Sequence, residues 1–303
     1  TLERALALLR TGGRCGMIVP VSAIASASYQ PLMKLVVSHR LWISSYSNRP
    51  ARLFAGVEQR LAILLLHNVP QSALFTSAYQ RWYEQERAHL FNTLIYTPAS
   101  CWSPTGMPLK MGTTQAGTIC GHLFQQRGFP LLAGQSARAA VWVHNGPTYW
   151  VRALPFEPNI GRQSQRSHHY SRIPVRSQDA ALALAAILSS STFYFFYTAI
   201  SNCRDLGRKE LHHFPLGQLQ PELTRRLTYL GRALAEHLQT TASRCVRQYP
   251  SGLIEYEAYH PARAKTLLDE IDRVLAEHYG FTDEELDFIL NYEIKYRMGQ
   301  EDH

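Results

Sequence analysis

The apolar positions of this chain change period along its length, and each change marks a change of element. Leu2, Leu6 and Leu9 fall at helical spacing over Thr1–Arg10, and Gly12-Gly13 stops the helix. Arg14–Val19, RCGMIV, is a short buried strand ended by Pro20. Helix, double glycine, strand and proline make one α/β unit packed into a mostly parallel sheet. After a polar SAIASAS segment, Pro31–Ser38 reads as helix. Leu41–Tyr46 reads as a strand that pairs with Ala62–Leu66 across the Arg49–Glu58 connection, giving the sheet an antiparallel edge. RLAILLL, ending at Leu66, is a continuous apolar run of strand length, the pattern of a strand buried on both faces.

Beyond Pro70 the pattern loosens. Ser72–Asn92 reads as a long helix with Tyr79, Trp82, Tyr83 and Leu90 on its packed face, and Ser100–Gly121, rich in Pro, Gly, Ser and Thr, as loop. AAVWVH and TYWVRAL, with Asn145-Gly146-Pro147 between them, give a hairpin signal. Phe156–Arg176 is basic and turn-rich. Asp179–Tyr197 is an Ala/Leu helix whose FYFFY end belongs to the core. Leu223, Leu227, Leu230, Leu234 and Leu238 line one face of an amphipathic helix. Pro261–Tyr279 turns Leu267, Leu268, Ile271, Val274 and Leu275 inward and is closed by Gly280. Thr282 and Glu285 then form a capping box for a last helix, Asp283–Arg297.

Composition adds size and compartment. A chain of 303 residues, 46% hydrophobic and 18% charged, makes one large globular domain or two ordinary ones. No apolar run approaches membrane-span length and no signal peptide opens the sequence, so a cytoplasmic protein with no membrane partner is expected. Cys15, Cys101, Cys120, Cys203 and Cys245 are scattered without metal or redox spacing, which fits reduced thiols. His168-His169 and His212-His213 are adjacent pairs whose side chains diverge, with no Cys or acid cluster to complete a site, so no metal is expected.

Charge changes the picture most. The net charge is +8, and the cations are arginines, 26 against 5 lysines. Between Arg87 and Asp179 the sole acid is Glu157, against Lys110, Arg127, Arg138, Arg152, Arg162, Arg166, Arg172 and Arg176. A one-signed stretch this long implies an anionic partner, and arginine forks match phosphates and guanine edges bidentately. The alternative is a basic solvated surface. The stretch Asn48–Leu66, NRPARLFAGVEQRLAILLL, puts a polar turn with Arg49, Arg52 and one aromatic, Phe54, before a buried strand. The strand has no use for charge, so the two arginines point out at its end. A fixed aromatic beside two cations suits a flat, electron-rich ligand carrying phosphates; the alternative is a hairpin with Phe54 in the core.

GGRCGMIVP, then NRPARLF, then the apolar strand resembles the second half of the catalytic domain of adenine-N6 DNA methyltransferases. The likeness is to the large single-chain kind of restriction–modification and phage-defence systems. RW…ER…LF, here Arg81-Trp82, Glu86-Arg87 and Leu90-Phe91, matches a segment that follows in that family. Ser201–Gly217, SNCRDLGRKELHHFPLG, resembles the closing motif of its target-recognition domain, an arrangement shared with Type I specificity subunits. HYGFTDEELDFILNYEIKYRMG resembles its terminal segment.

The resemblance implies an α/β protein. Residues 1–68 form part of a class I, Rossmann-like methyltransferase sheet, and 69–120 a helical connector and loop. Residues 121–220 form an α+β target-recognition domain, and 221–303 the C-terminal helices. It implies Phe54 as the ring that stacks on a flipped-out adenine, and double-stranded DNA as partner. The DNA contacts expected from the polar turn, the Arg-rich stretch and the closing motif together are Arg49, Arg52, Arg162, Arg166, Arg172, Asn202, Arg204, Arg208 and Lys209. The methyl donor would be S-adenosylmethionine. The family's Gly-rich donor turn and its Asn/Asp-Pro-Pro-Tyr/Phe tetrapeptide are both absent from this sequence, and Gly112–Gly121, GTTQAGTICG, reads as a loop. The chain is therefore expected to be the C-terminal part of a methyltransferase, inactive alone and dependent on the other half. The competing expectation is a non-enzymatic DNA specificity module that docks on a separate catalytic subunit. An RNA-binding protein is a weaker reading, because the aromatics are spaced as core and not as a stacking platform.

Overall fold

A computed structural model describes residues 1–129, 138–159, 169–249 and 252–298. In chain order the elements begin α1 (Leu2–Ala7), β1 (Arg14–Pro20), α2 (Ser22–Ala25), α3 (Gln30–Val36), β2 (Arg40–Tyr46), β3 (Leu61–His67), β4 (Ala73–Gln80) and β5 (Thr97–Pro98). There follow α4 (Thr114–Gln125), β6 (Ala139–His144), β7 (Ala153–Leu154), β8 (Tyr170–Val175), α5 (Gln178–Ser189), α6 (Ser191–Ile200) and α7 (Arg208–His213). The chain continues with α8 (Pro221–Thr240), β9 (Ser243–Tyr249), β10 (Gly252–Ala258), α9 (Lys265–Tyr279), α10 (Asp283–Asn291) and α11 (Ile294–Arg297). These elements form an α/β protein of two units, Thr1–Gly121 with Phe196–Arg204, and His122–Phe195 with Asp205–His303.

The first unit is built on a five-stranded mixed sheet in the order β1-β3-β2-β4-β5. β3 runs antiparallel to both β1 and β2, so β1 and β2 are parallel to each other with β3 inserted between them. The expected β2–β3 hairpin forms, with Leu41 opposite Leu66 and Tyr46 opposite Leu61. It lies inside the sheet and not at its edge. The sheet is also not mostly parallel, because β2 and β4 make its one parallel pair. Alternation sorts the side chains. Leu41, Ile43, Ala62, Leu64 and Leu66 pack with Leu2, Ile24, Met33 and Val36 of the helices on one face. On the other face a smaller cluster joins Tyr46, Ala51, Leu53, Leu61, Trp82 and Leu90.

The expected helix over 72–92 does not form. Ala73–Gln80 is a strand, and a 3-10 turn follows at Glu84–His89. The spacing of Tyr79, Trp82 and Tyr83 mimics a helix, but the open edge of β2 takes the segment, and Phe75, Thr76 and Tyr79 are β-formers. A one-residue bulge between the Ile43 and Ser45 pairs then turns Tyr79 to the face opposite to that of Phe75. Residues 69–120 thus add β4 and β5 to the sheet in place of a helical connector.

The second unit holds an antiparallel sheet in the order β7-β6-β8, with the expected hairpin pairing Trp142 with Leu154 and Val143 with Ala153. Ser177 caps α5 at the Ala180 amide. The helix read over 179–197 is two helices, bent by 61° at Ser190. Among the described residues no single helix is long and apolar enough to cross a membrane. α8 buries Leu223, Leu227, Leu234 and Leu238 as its spacing required, and Gly231 lets α5 approach so closely that a Cβ there would meet the Leu182 carbonyl oxygen at 2.1 Å. α9 ends on Gly280 in the left-handed conformation, with φ of 70°. The Thr282–Glu285 capping box forms in both directions, but the last helix stops at Asn291. Arg297 explains the break. Its Nη1 donates to the Tyr292 carbonyl at 3.1 Å, its Nε to the Tyr149 carbonyl at 3.2 Å and its Nη2 to Ser191 Oγ at 3.0 Å. The β9–β10 hairpin, unforeseen in the sequence, pairs Cys245 with Tyr256 and Arg247 with Ile254.

Candidate nucleic-acid interface

The turn that follows β2 has an inside and an outside. Ala51 and Leu53 are buried in the smaller cluster, whereas Arg49, Arg52 and Phe54 are exposed, the Phe54 residue at 43%. Asn48 Nδ2 closes the base of the loop on the Glu58 carbonyl at 2.8 Å. Arg52 pairs with Glu58 at 2.5 Å, an exposed ion pair worth little to stability. The loop is clipped to the segment after β4, with Ser47 N–H donating to the Gln80 carbonyl at 2.9 Å and Ala51 N–H to the Trp82 carbonyl at 3.1 Å. Two arginines complete the clip. Arg81 stacks over the Tyr79 ring at 5.2 Å and reaches Ser47 Oγ at 3.4 Å. Arg87 donates to the Arg52 carbonyl at 2.6 Å and the Leu53 carbonyl at 3.1 Å. The sequence signal for both was the RW…ER…LF stretch, which a helical reading could not connect to the turn.

Asn202 and Arg204 belong to the same unit. Lys110, counted above among the basic residues of a polyanion-facing stretch, is buried there instead. Its Nζ donates to the Ala199 carbonyl at 3.1 Å and the Ser201 carbonyl at 2.6 Å, satisfying carbonyls at the C-terminal end of α6. Burial pushes its ammonium below the usual lysine range. The turn it pins is tight: Cys203 is left-handed with φ of 58°, and the Arg204 amide donates to Asn202 Oδ1 at 2.9 Å. Arg204 is exposed. Burial raises the phenols of Tyr79 and Tyr197, and Cys203 and Arg60 act on both. β4 ends where β2 ends, with Tyr46 opposite Gln80.

In the second unit, Asn145 ties β8 to the segment before α7. Its carbonyl accepts from the Leu206 amide at 2.7 Å, its Oδ1 accepts from Ser171 Oγ at 2.6 Å, and its amide donates to the His169 carbonyl at 2.8 Å. Arg172 follows Ser171 on β8, and Arg208 and Lys209 open α7 just after Leu206; all three are exposed. Glu210 turns inward and accepts from the Gly207 amide at 2.9 Å, so the RKE triplet divides into two outward cations and one helix cap. His144 adds no charge: burial, then Arg152 and His169, push its imidazole down to about 3. Arg162 and Arg166 lie outside the described residues.

The Gly-rich stretch Gly112–Gly121 does not have the form of a methyl-donor turn. Gly112–Gly121 is not the loop expected, because α4 begins at Thr114. Two of its three glycines, Gly112 and Gly117, serve close packing. A Cβ on Gly112 would meet Ala78 at 2.8 Å, and one on Gly117 would meet Ser100 Oγ at 2.8 Å. Among the described residues no group of three or more His, Cys, Asp or Glu could hold a metal.

No protein-family model and no curated protein matches the chain. Among solved structures it is similar to the Type IIL restriction-modification enzyme MmeI in complex with DNA, at 10% identity and a TM-score of 0.47, covering 98% of this chain and 51% of that one. It is also similar to the DrdV–DNA complex solved by cryo-electron microscopy, at 10% identity and a TM-score of 0.38, covering 97% and 51%. The chain spans about half the length of either.

Proposed function

We propose that this chain binds duplex DNA sequence-specifically and supplies one wall of the pocket for a flipped-out adenine, in the service of adenine-N6 methylation in the cytoplasm. The observation that carries the reading is Phe54, an exposed ring on a turn whose backbone is fixed, with Arg49 and Arg52 exposed beside it. An enzyme that modifies a base must take it out of the stack and hold its π-face, and one aromatic contributes roughly 1–3 kcal/mol to that. Arg49 and Arg52 stand where the displaced strand's phosphates would pass. In this reading each unit offers DNA-contacting side chains of its own, Asn202 and Arg204 in the first and Arg172, Arg208 and Lys209 in the second.

The donor, S-adenosylmethionine, is held outside this chain in this reading, as is the group that orients the target amino nitrogen. The partner is the other half of the catalytic domain or a separate catalytic subunit. Among the described residues β1 pairs only with β3, which leaves its second edge open, and Ile18 and Leu65 beside it are 51% and 44% exposed. An open strand edge with an uncovered apolar face is where further strands and helices add. The same surface serves the second reading, a non-catalytic specificity module, which dispenses with Phe54.

Binding to duplexes of varied sequence tests the proposal. Affinity falls steeply with salt, because each neutralised phosphate releases condensed counterion. Arg162→Ala with Arg166→Ala flattens that dependence. Arg204→Ala, Arg208→Ala and Lys209→Ala each alter sequence preference by roughly 1–3 kcal/mol per lost base contact. Uniform weakening across all sequences would remove these three from base reading, and affinity insensitive to salt would remove DNA as the partner.

A further inference from the structure

The turn that carries Phe54 has no regular hydrogen-bonded structure of its own, yet three successive carbonyls in it are held. The Arg52 carbonyl accepts from Arg87 Nη2 at 2.6 Å and the Leu53 carbonyl from Arg87 Nη1 at 3.1 Å. The Phe54 carbonyl accepts from the Val57 amide at 3.2 Å, across a turn in which Gly56 is left-handed with φ of 75°. The guanidinium is itself oriented, because its Nε donates to Glu84 Oε1 at 2.7 Å. Glu86 in turn fixes the 3-10 turn that presents Arg87, accepting from the Tyr83 amide at 2.9 Å. All three guanidinium nitrogens therefore have acceptors, a use of the planar fork that a point charge could not reproduce.

Phe54 itself has little packing to hold it, and its neighbours Ala55 and Gly56 are exposed as well. The direction of its ring is set by the backbone at 52–54. We propose that Arg87 is the positioning residue for Phe54: its guanidinium clamps the two carbonyls before the ring and so aims the ring at the base. This rests on the stacking role proposed for Phe54, and it gives a function to the ER pair that packing leaves unexplained. Arg87 is half exposed and contributes little to either core cluster. Misaiming a reacting group by about 1 Å can cost about 10²-fold in rate, so a backbone clamp of this kind is worth its ordering.

The test uses the 303-residue chain and a short duplex carrying one 2-aminopurine, the fluorescent adenine analogue, in a mismatch, where unpairing costs least. The variants are Arg87→Ala, Arg87→Lys, Phe54→Ala and the Arg87→Ala/Phe54→Ala double. Amide hydrogen exchange over 53–58 is read alongside base fluorescence and binding to a fully paired duplex. The expected result has three parts. Arg87→Ala deprotects the 53–58 amides and lowers flipped-base retention to the Phe54→Ala level. Paired-duplex binding stays within about twofold, and the double variant is no worse than either single, as coupled residues require. Arg87→Lys, which supplies a point charge without the fork, restores folding but not retention. Unchanged exchange over 53–58 in both Arg87 variants overturns the clamp, and so does a double variant whose losses add. If Phe54→Ala leaves retention intact, the stacking role fails, and the clamp stands or falls on the exchange data alone. Should Arg87→Ala not fold, Arg87→Lys carries the same comparison.

Discussion

Replacing Asp272 should destabilise the second unit more than any surface change, and the size of the effect can be worked from its contacts. Asp272 sits on α9, fully buried, and caps the N-terminus of α6. Its Oδ2 accepts from the Ser191 amide at 2.9 Å, and its Oδ1 from the Thr192 amide at 2.8 Å and Thr192 Oγ1 at 2.7 Å. Burial pushes its carboxyl up, and those donors pull it back. Asp272→Ala orphans three buried donors at roughly 1–3 kcal/mol each. Breaking one partner of a buried charged network costs about 3–5 kcal/mol in practice, because the site relaxes and admits water. At roughly 2–4 °C per kcal/mol for a unit of this size, the transition should fall by about 6–20 °C. Asp272→Asn keeps one oxygen acceptor but turns an NH2 toward an N–H donor, so it should lose less than Ala and more than half as much. Scanning calorimetry reads the transition, and hydrogen exchange at Ser191 and Thr192 reads the cap. A fall of under about 2 °C with both amides still protected would refute the reasoning.

Two further substitutions test single attributions. His144 titrates near 3 in the folded chain against 6.5 ordinarily. Between those values the unfolded chain binds a proton that the folded one does not. Its contribution is intact above about pH 6.5 and is lost as pH falls toward 3, on the order of a few kcal/mol. His144→Phe should flatten the acid limb of the stability–pH curve, and an unchanged limb contradicts the assignment. Lys110→Met keeps the buried stem but leaves the Ser201 carbonyl only the weak Cys203 thiol donor at 3.8 Å, costing roughly 1–3 kcal/mol. It should weaken DNA binding through the 201–204 turn with no change in salt slope. A slope reduced by about 0.9 would mean that Lys110 touches a phosphate after all.

Local patterns in the sequence were legible where burial follows period. Leu41–Tyr46 and RLAILLL became inner strands because their apolar runs suit burial within a sheet, and the pairing of Tyr46 with Leu61 follows from hairpin geometry. RCGMIV also became a strand, but at the sheet edge and with none of its residues fully buried, not the buried strand its apolar run suggested. Partners distant in sequence were not legible. Ala73–Gln80 is a strand because β2 offers it an edge, which no local window shows. Lys110 reads as one cation in a basic run until the end of α6 folds over it. Arg87 carries no signal that it reaches back 35 residues to the Arg52 carbonyl. The β9–β10 hairpin escaped because its faces are half exposed, so SRCVRQY and GLIEYEA alternate only weakly. Phe54 is the reverse case. The resemblance singled it out, and of the two placements the turn allowed the structure shows the exposed one, at 43%, outside the smaller cluster.

The most direct measurement of the central claim is transfer of labelled methyl from S-adenosylmethionine to DNA, with the catalytic half supplied to this chain and Phe54 either intact or replaced. The 303 residues alone should transfer none, since in the proposed reading the groups that align donor and amino nitrogen belong to the other half. In the assembled protein, Phe54→Ala should lower the rate roughly 5- to 150-fold, the equivalent of about 1–3 kcal/mol of lost stacking. Duplex binding should stay largely intact, because the arginines supply most of it. Methylation by the chain alone, or an unchanged rate in the assembled Phe54→Ala protein, would contradict the account.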